Sequence, residues 1–256
     1  MRKIFDIPYV DGGAVAQRLD MYLPEGEGFP TLVFFHGGGF EKCDKGGKEF
    51  PVLAEYFNSV GIGLISANYR MYPDGARFPD YIEDGAAAVA WAKAHISEYG
   101  GSGELFVGGS SAGGHMSMLL CYDKKYLGAY GIDPMDIKAY IHDAGQPTVH
   151  FNVLREDGLP RYSCRVDQRA PIYHVGAAKE YAPQQIFVAD NDIKCRYEET
   201  MLLYRSFEAL GYDMSKIRLE YMQGYKHTQY LGMVDDSGVS IFRQRVYKFL
   251  SDLKIV

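Results

Sequence analysis

The sequence predicts an α/β protein in three layers, with a mostly parallel central sheet of about eight strands and helices on both faces. Short apolar runs that are typical of buried strands, such as residues 31–35 and 185–189, recur along the chain. Segments with helical periodicity lie between them, among them residues 80–97 and 197–210. The chain has 256 residues, enough for one domain of this class, and we expect a single domain over residues 1–256.

The predicted elements follow one another in a regular order. Two alternating stretches, residues 4–10 and 17–23, predict paired edge strands joined by a turn at Asp11-Gly12-Gly13. Strands and helices then alternate, which favours a parallel sheet covered on both faces. These elements are strand 32–35, helix 45–60, strand 62–70, helix 80–97, strand 104–107, a helix from Met116, strand 138–142, strand 185–189, helix 197–210, strand 217–221 and helix 239–253.

A nucleophile motif lies between the predicted strand 104–107 and the helix that follows it. The segment Gly109-Ser110-Ser111-Ala112-Gly113 fits G-x-S-x-G, which in this setting is typical of a nucleophile elbow. Such a turn holds a serine hydroxyl away from the backbone, and it crowds its neighbours, so they must be small. The frame predicts Ser111 as the nucleophile, because a frame centred on Ser110 would put Ala112 in the place of the second glycine.

A second motif lies upstream, where His36-Gly37-Gly38-Gly39 follows the predicted strand 31–35. An H-G-G-G segment after a central strand is typical of an oxyanion-hole loop, whose backbone N–H groups point at an incoming carbonyl oxygen. We predict that the N–H groups of Gly37, Gly38 and Ala112 are the donors. Each donor of this kind contributes about 10²–10³-fold in rate, because it stabilises charge that develops only in the transition state.

A serine nucleophile on such an elbow needs an acid and then a histidine, in that chain order. The acid should follow a strand C-terminal to the elbow, and both Asp190 and Asp192 follow the predicted strand 185–189. Asp143, which follows an earlier strand, is a more distant alternative. His227 is the only histidine beyond these aspartates and lies on the loop after the last predicted strand, so we predict it as the base.

One long stretch, residues 145–175, shows no helix or strand pattern. A loop of this length inside a domain is usually functional or mobile, and this one lies where a cover over the elbow is expected. We therefore expect a short lid-like insertion, the alternative being a surface excursion packed on its own side chains. Its aromatic, apolar and basic residues are Phe151, Leu154, Arg155, Pro160, Arg161, Tyr162, Arg165 and Tyr173.

Composition and charge argue against several classes of protein. The net charge is −6 and no basic block is present, which argues against nucleic acid as a partner. No apolar run is long enough to span a bilayer, and the N-terminus lacks the apolar core of a secretory signal, so we expect a cytoplasmic protein. The four cysteines have neither C-x-x-C nor zinc spacing, and we expect no metal.

On these motifs, the chain resembles the α/β-hydrolase superfamily and, within it, the small esterases related to hormone-sensitive lipase. The resemblance runs from about Leu19 to the C-terminus. Larger relatives carry an N-terminal helical cap and an acidic residue where this chain has Ser110, so the chain is closer to the compact branch that includes acetyl, carbohydrate and feruloyl esterases. The resemblance rests on His36-Gly37-Gly38-Gly39, Asn68-Tyr69-Arg70, Phe78-Pro79 with Asp84, Ser111-Ala112-Gly113-Gly114-His115, Asp192 and His227.

The resemblance implies an acid, a reaction and a class of substrate. In such esterases the acid lies a few positions after a small residue that ends the strand, which favours Asp192. The implied reaction is hydrolysis of a small-molecule ester through an acyl-enzyme, with Ser111, Asp192 and His227 as the triad and no cofactor. Short to medium acyl groups, on carbohydrate-linked or phenolic alcohols, are the implied substrates. An amidase, peptidase or arylformamidase is the alternative, as is, from another class, a hydrolase-fold binding protein that has lost catalysis.

Overall fold

Eight strands and seven helices build the protein. A computed structural model describes all of residues 1–256. The strands are β1 (Arg2–Pro8), β2 (Arg18–Leu23), β3 (Phe29–Phe35), β4 (Gly63–Ala67), β5 (Gly101–Ser110), β6 (Ala139–Asp143), β7 (Gln184–Asn191) and β8 (Ile217–Lys226). The helices are α1 (Glu49–Ser59), α2 (Asp80–His95), α3 (Ala112–Tyr122), α4 (Lys125–Gly128), α5 (Phe151–Glu156), α6 (Arg196–Ala209) and α7 (Ile241–Asp252). No helix combines the length and the apolar character that a membrane crossing requires.

All eight strands belong to one sheet, in the spatial order β1-β2-β4-β3-β5-β6-β7-β8. Strand β2 pairs antiparallel with both of its neighbours, and every other pair is parallel. The predicted sheet of about eight mostly parallel strands is therefore confirmed. Parallel neighbours require crossover connections, which is why helices cover the faces of the sheet.

The alternation of side chains along the central strands divides the core in two. In β3, Leu32 and Phe34 face the layer formed by α1 and α7. Their neighbours Val33 and Phe35 face the opposite layer, which α2, α3 and α6 form. Because both faces of the strand are buried, it has a continuous apolar run rather than an alternating pattern. The three-layer prediction is confirmed.

The segment 145–175 is more regular than the sequence indicates. Helix α5 lies within it, and residues 171–174 form a 3-10 turn, so the expectation of a wholly irregular stretch is wrong. His150 begins α5 by accepting a hydrogen bond at Nδ1 from the N–H of Asn152 (3.2 Å), and Val153 and Leu154 are buried. Six residues are too few for helical periodicity to be detected in the sequence.

The order of the strands determines where a site can form. From β3 the chain crosses to β4 on one side, and β5 then lies on the other side of β3. Ligands of open α/β sheets bind outside the carboxyl ends of the strands where the direction of winding reverses. Here that point lies between the carboxyl ends of β3 and β5, where the glycine-rich loop and the serine motif begin.

A buried carboxylate ties three elements together beside this point. Asp84 of α2 is 2% exposed, and its Oδ2 and Oδ1 accept bonds from Nε and Nη2 of Arg70 at 2.9 and 2.8 Å. The backbone N–H of Arg70 donates to Oδ2 (2.8 Å), and Nε2 of Gln17 donates to Oδ1 (2.7 Å). The carboxylate therefore joins α2 to the end of β4 and to the first hairpin.

Removing this carboxylate should destabilise the fold. In Asp84→Ala, the buried donors of Gln17 and Arg70 lose their acceptor, so we expect a loss of about 2–3 kcal/mol in the free energy of unfolding. Urea unfolding followed by circular dichroism measures it. The control is Lys248→Ala, which removes an exposed pair with Asp252 (3.0 Å) and should cost about 0.5 kcal/mol or less. Equal losses in the two variants would contradict this account.

Candidate active site

Ser111 lies on a strained turn between β5 and α3. Its φ is 56° and its ψ is −108°, outside the regions that non-glycine residues normally occupy. The turn is tight because α3 packs directly on the sheet. A Cβ at Gly109 would lie 2.4 Å from the backbone of Gly113, and one at Gly113 would lie 2.2 Å from the carbonyl oxygen of Phe35. Both glycines are therefore required, and the N–H of Ser111 is held by the carbonyl of Asp143 (2.7 Å).

His227 contacts Ser111, and Asp192 contacts His227. His227 directly follows β8, and its Nε2 lies 2.9 Å from Oγ of Ser111. Its Nδ1 lies 2.5 Å from Oδ1 of Asp192, which directly follows β7 and whose side chain is 1% exposed. An ionised carboxylate only accepts hydrogen bonds, so it orients the neutral imidazole with a proton on Nδ1 and the lone pair of Nε2 toward the serine hydroxyl.

The two other aspartates considered from the sequence have different partners. The carboxylate of Asp190 accepts the backbone N–H of Gly224 at 2.9 and 3.0 Å, which ties β7 to β8. Oδ1 of Asp143 accepts the hydroxyl of Tyr230 at 2.5 Å. Neither forms a hydrogen bond with His227, so the structure brings only Asp192 together with the histidine.

Aromatic contacts hold the glycine-rich loop in place. The imidazole of His36 stacks on the ring of Tyr69 with a centroid distance of 4.4 Å. The Tyr69 hydroxyl donates to the carbonyl of His36 at 2.8 Å, and Nδ1 of His36 lies 2.8 Å from the carbonyl oxygen of Gly37. These contacts engage the carbonyl groups of His36 and Gly37, and they leave the N–H groups of the loop unused.

The three predicted donors are the N–H groups of Gly37, Gly38 and Ala112. Gly37 lies against the elbow, since a Cβ there would be 3.2 Å from Cβ of Ser111. Gly38 has a φ of 99°, which only glycine adopts readily. Neither glycine N–H donates to another group of the chain, and Ala112 is the first residue of α3, where N–H groups have no intrahelical acceptor.

Helix α5 forms one wall of the site. Nδ2 of Asn152 donates to the carbonyl of Gly39, and the carbonyl of Asn152 in turn accepts the Tyr72 hydroxyl at 2.6 Å. Phe151 packs beside Gly39, because a Cβ added to that glycine would lie 3.2 Å from Cζ of Phe151. The insertion is therefore joined to the glycine-rich loop, and these contacts have no local pattern in the sequence.

These elements enclose a cleft of about 630 Å³, which is a size suited to a small molecule. Ser111 and His227 lie in its wall with the glycine-rich loop. No group of histidine, cysteine, aspartate or glutamate side chains is arranged to hold a metal ion. The apolar lining residues are Phe34, Phe50, Leu53, Phe151, Ile193 and Leu231.

A second buried carboxyl, that of Asp143, lies behind the predicted catalytic residues. Burial raises the pKa of Asp143 to about 6, although hydrogen bonding with Ser110 and with Tyr230 partly opposes this shift. Tyr230 belongs to the 3-10 turn at residues 229–232, just after His227, so the pair joins the histidine loop to β6. Tyr230 could not be predicted from the sequence, because a contact between residues 87 positions apart has no local signal.

The architecture is the α/β-hydrolase fold. Esterase 2 of Thermogutta terrifontis, in a structure phosphoramylated by tabun, superposes with a TM-score of 0.77 at 21% identity, covering 99% of this chain and 96% of that one. The chain matches the model of the BD-FAE family over residues 19–153, more than half of its length. The chain belongs to the BD-FAE family, and the predicted membership of the α/β-hydrolase superfamily is confirmed.

Similar curated proteins include enzymes and receptors. The carboxylic ester hydrolase LipN of Mycobacterium tuberculosis is 37% identical over 103 residues, which are 39% of this chain and 27% of LipN. The gibberellin receptor GID1 of rice (Oryza sativa subsp. japonica) is 32% identical over 98 residues, which are 37% of this chain and 27% of the receptor. The chain spans between about a fifth and a third of the length of the curated relatives it matches, from 21% to 32%.

The buried carboxyl of Asp143 should make stability depend on pH. The folded protein binds this proton with a pKa of about 6, against 3.8 in the unfolded chain, so this group lowers stability as the pH rises between these values. In Asp143→Asn the group does not titrate. From pH 4 to pH 7 the wild type should therefore lose about 2–3 kcal/mol more than the variant in the free energy of unfolding, measured by urea titration.

The exposed substitution Asp11→Asn is the control for this titration, and its profile should run parallel to that of the wild type. A parallel profile for Asp143→Asn as well would show that the carboxyl behind the site does not titrate in this range.

Proposed function

We propose that this protein is a serine ester hydrolase that acts on small-molecule carboxylic esters. The observation that carries the proposal is the chain of contacts at the elbow. Oγ of Ser111 lies 2.9 Å from Nε2 of His227, and Nδ1 of the same ring lies 2.5 Å from Asp192. Nucleophile, base and orienting acid are thus within hydrogen-bond reach, beside N–H groups that have no acceptor within the chain.

The proposed reaction proceeds through an acyl-enzyme. Nε2 of His227 takes the proton from Ser111 as Oγ attacks the ester carbonyl, and Asp192 stabilises the imidazolium that forms. The backbone N–H groups of Gly37 and Gly38, with that of Ala112, bind the oxyanion. His227 then protonates the leaving alcohol. A water activated by the same imidazole releases the acid and restores the serine.

The cleft supports short to medium acyl groups as substrates. Its volume of about 630 Å³ and its apolar lining suit a small ester, and we propose phenolic or carbohydrate-linked alcohols as the leaving groups. We also propose that residues 145–175 act as a lid-like part of the single domain, which the contacts of Phe151 and Asn152 with Gly39 support. The four unpaired cysteines support a reducing compartment, and we propose the cytoplasm.

The first test is hydrolysis of p-nitrophenyl esters from acetyl to decanoyl. Loss of the nucleophile should lower kcat by about 10⁴-fold or more in Ser111→Ala, while the control Ser102→Ala at the exposed start of β5 should match the wild type. A fluorophosphonate should also label the wild type at Ser111, as read by mass spectrometry of the peptide. Equal rates in Ser111→Ala and the wild type would refute the assignment.

The two aspartates after β7 allow a matched comparison. Asp192→Asn keeps the shape of the side chain but removes the charge that orients His227, so we expect a loss of about 10⁴-fold in kcat. Asp190→Asn replaces one of the two exposed carboxylate oxygens that accept the N–H of Gly224 with an amide nitrogen, and its loss in kcat should be at least 100-fold smaller. Steady-state kinetics on p-nitrophenyl butyrate measures both rates. A larger loss in Asp190→Asn would transfer the role of the acid to that residue.

Similarity to the gibberellin receptor GID1 favours a second candidate, a hydrolase-fold protein that binds a small molecule without turnover. That candidate requires no hydrolysis of any ester or aryl amide, no labelling of Ser111 by a fluorophosphonate, and a ligand that raises Tm. An aryl amide or peptide that is hydrolysed faster than every ester would instead identify an amidase or peptidase on the same scaffold.

A further inference from the structure

Arg161 differs from every other arginine of the chain. It has neither a hydrogen bond nor an ion pair. Each of the other twelve arginines donates to a carboxylate or to a carbonyl oxygen. A guanidinium presents five donors in a planar fork, so the edge of Arg161 is free to bind an anion.

The guanidinium lies in the wall of the catalytic cleft, which Arg161 shares with Ser111 and His227. Its central carbon is 4.2 Å from the centroid of the Phe151 ring, a cation–π contact that sets the position of the group. Phe151 in turn packs beside Gly39 of the glycine-rich loop. The cation is therefore held on the face of the cleft next to the predicted oxyanion donors.

The charged groups around the cleft leave a local excess of positive charge. Lys42 and Lys48 also line it, and neither has a carboxylate partner. Of the two acidic lining residues, Glu41 is engaged by Nη1 of Arg155 at 2.5 Å, which leaves Glu49 as the only unpaired carboxylate. This excess contrasts with the net charge of −6 for the chain, and such a field raises the local concentration of an anionic substrate.

We propose that the cleft selects esters that carry a carboxylate in addition to the ester group, and that Arg161 binds this carboxylate. The proposal rests on the proposed ester hydrolysis. A carboxylate matches the planar fork of the guanidinium with two parallel hydrogen bonds, and it gives the unpaired cation the partner that the chain itself does not supply. A neutral alkyl ester leaves the guanidinium without that partner.

The test compares two matched pairs of esters at pH 7.5. Mono-p-nitrophenyl adipate against its methyl ester places the carboxylate on the acyl side, and 4-acetoxybenzoate against its methyl ester places it on the alcohol side. The readout is the ratio of kcat/KM for the anionic ester to that for its neutral partner, which cancels any general loss of activity. In Arg161→Gln this ratio should fall about tenfold or more for at least one pair.

Two further variants separate charge and geometry from general effects of the insertion. Arg161→Lys keeps the charge without the fork and should retain only part of the ratio. Arg165→Gln removes an arginine of the same segment that is bonded to Asp167 at 2.9 Å and lies outside the cleft, so its ratio should equal that of the wild type. Added salt should lower the wild-type ratio, because it screens a partly exposed pair.

The outcomes separate this proposal from the proposed function. If Arg161→Gln keeps the wild-type ratio of kcat/KM for both pairs of esters, the proposed role of Arg161 is overturned, while the proposed ester hydrolysis stands. An equal fall in Arg165→Gln overturns it as well. If no ester of either pair is hydrolysed and Ser111 is not labelled by a fluorophosphonate, the proposed function fails, and the proposal for Arg161 fails with it.

Discussion

The close approach of α3 to the sheet is the constraint on which the site depends. Because Gly109 and Gly113 have no side chain, the helix begins directly on the carboxyl end of β3, and the chain must turn sharply at Ser111. That turn projects the hydroxyl toward the cleft and leaves the first N–H of α3 beside it. The strain at φ 56° is maintained because the packed helix holds one side of the turn and the hydrogen bond from the Ser111 N–H to the carbonyl of Asp143 holds the other.

Buried polar groups hold the loops around this turn. Tyr69 fixes the loop that begins at His36, and Tyr230 fixes the segment after His227 through Asp143. Each hydrogen bond joins elements that are far apart in the chain. The loops at the carboxyl edge of the sheet are therefore held in place by residues of other elements.

Local motifs explain why much of this arrangement was predictable. The elbow and the glycine-rich loop are each encoded within a few consecutive residues, because the steric demands of the turn act on immediate neighbours. The choice between Asp190 and Asp192 was not local. Both follow β7, and the pairing with β8 decides that Asp190 meets Gly224 while Asp192 faces His227. Helix α5 escaped prediction because six residues show no period, and its contact with Gly39 spans 113 positions.

The position of β8 links the histidine to one exposed edge of the sheet. β8 is an edge strand, hydrogen-bonded only to β7, and most of its residues are partly or fully exposed. His227 follows its last residue, so any fraying of this edge withdraws the imidazole while the seven other strands stay paired. Loss of the proposed activity on heating should therefore precede the cooperative melting of the fold, and it should be reversible on cooling as long as the edge alone has opened.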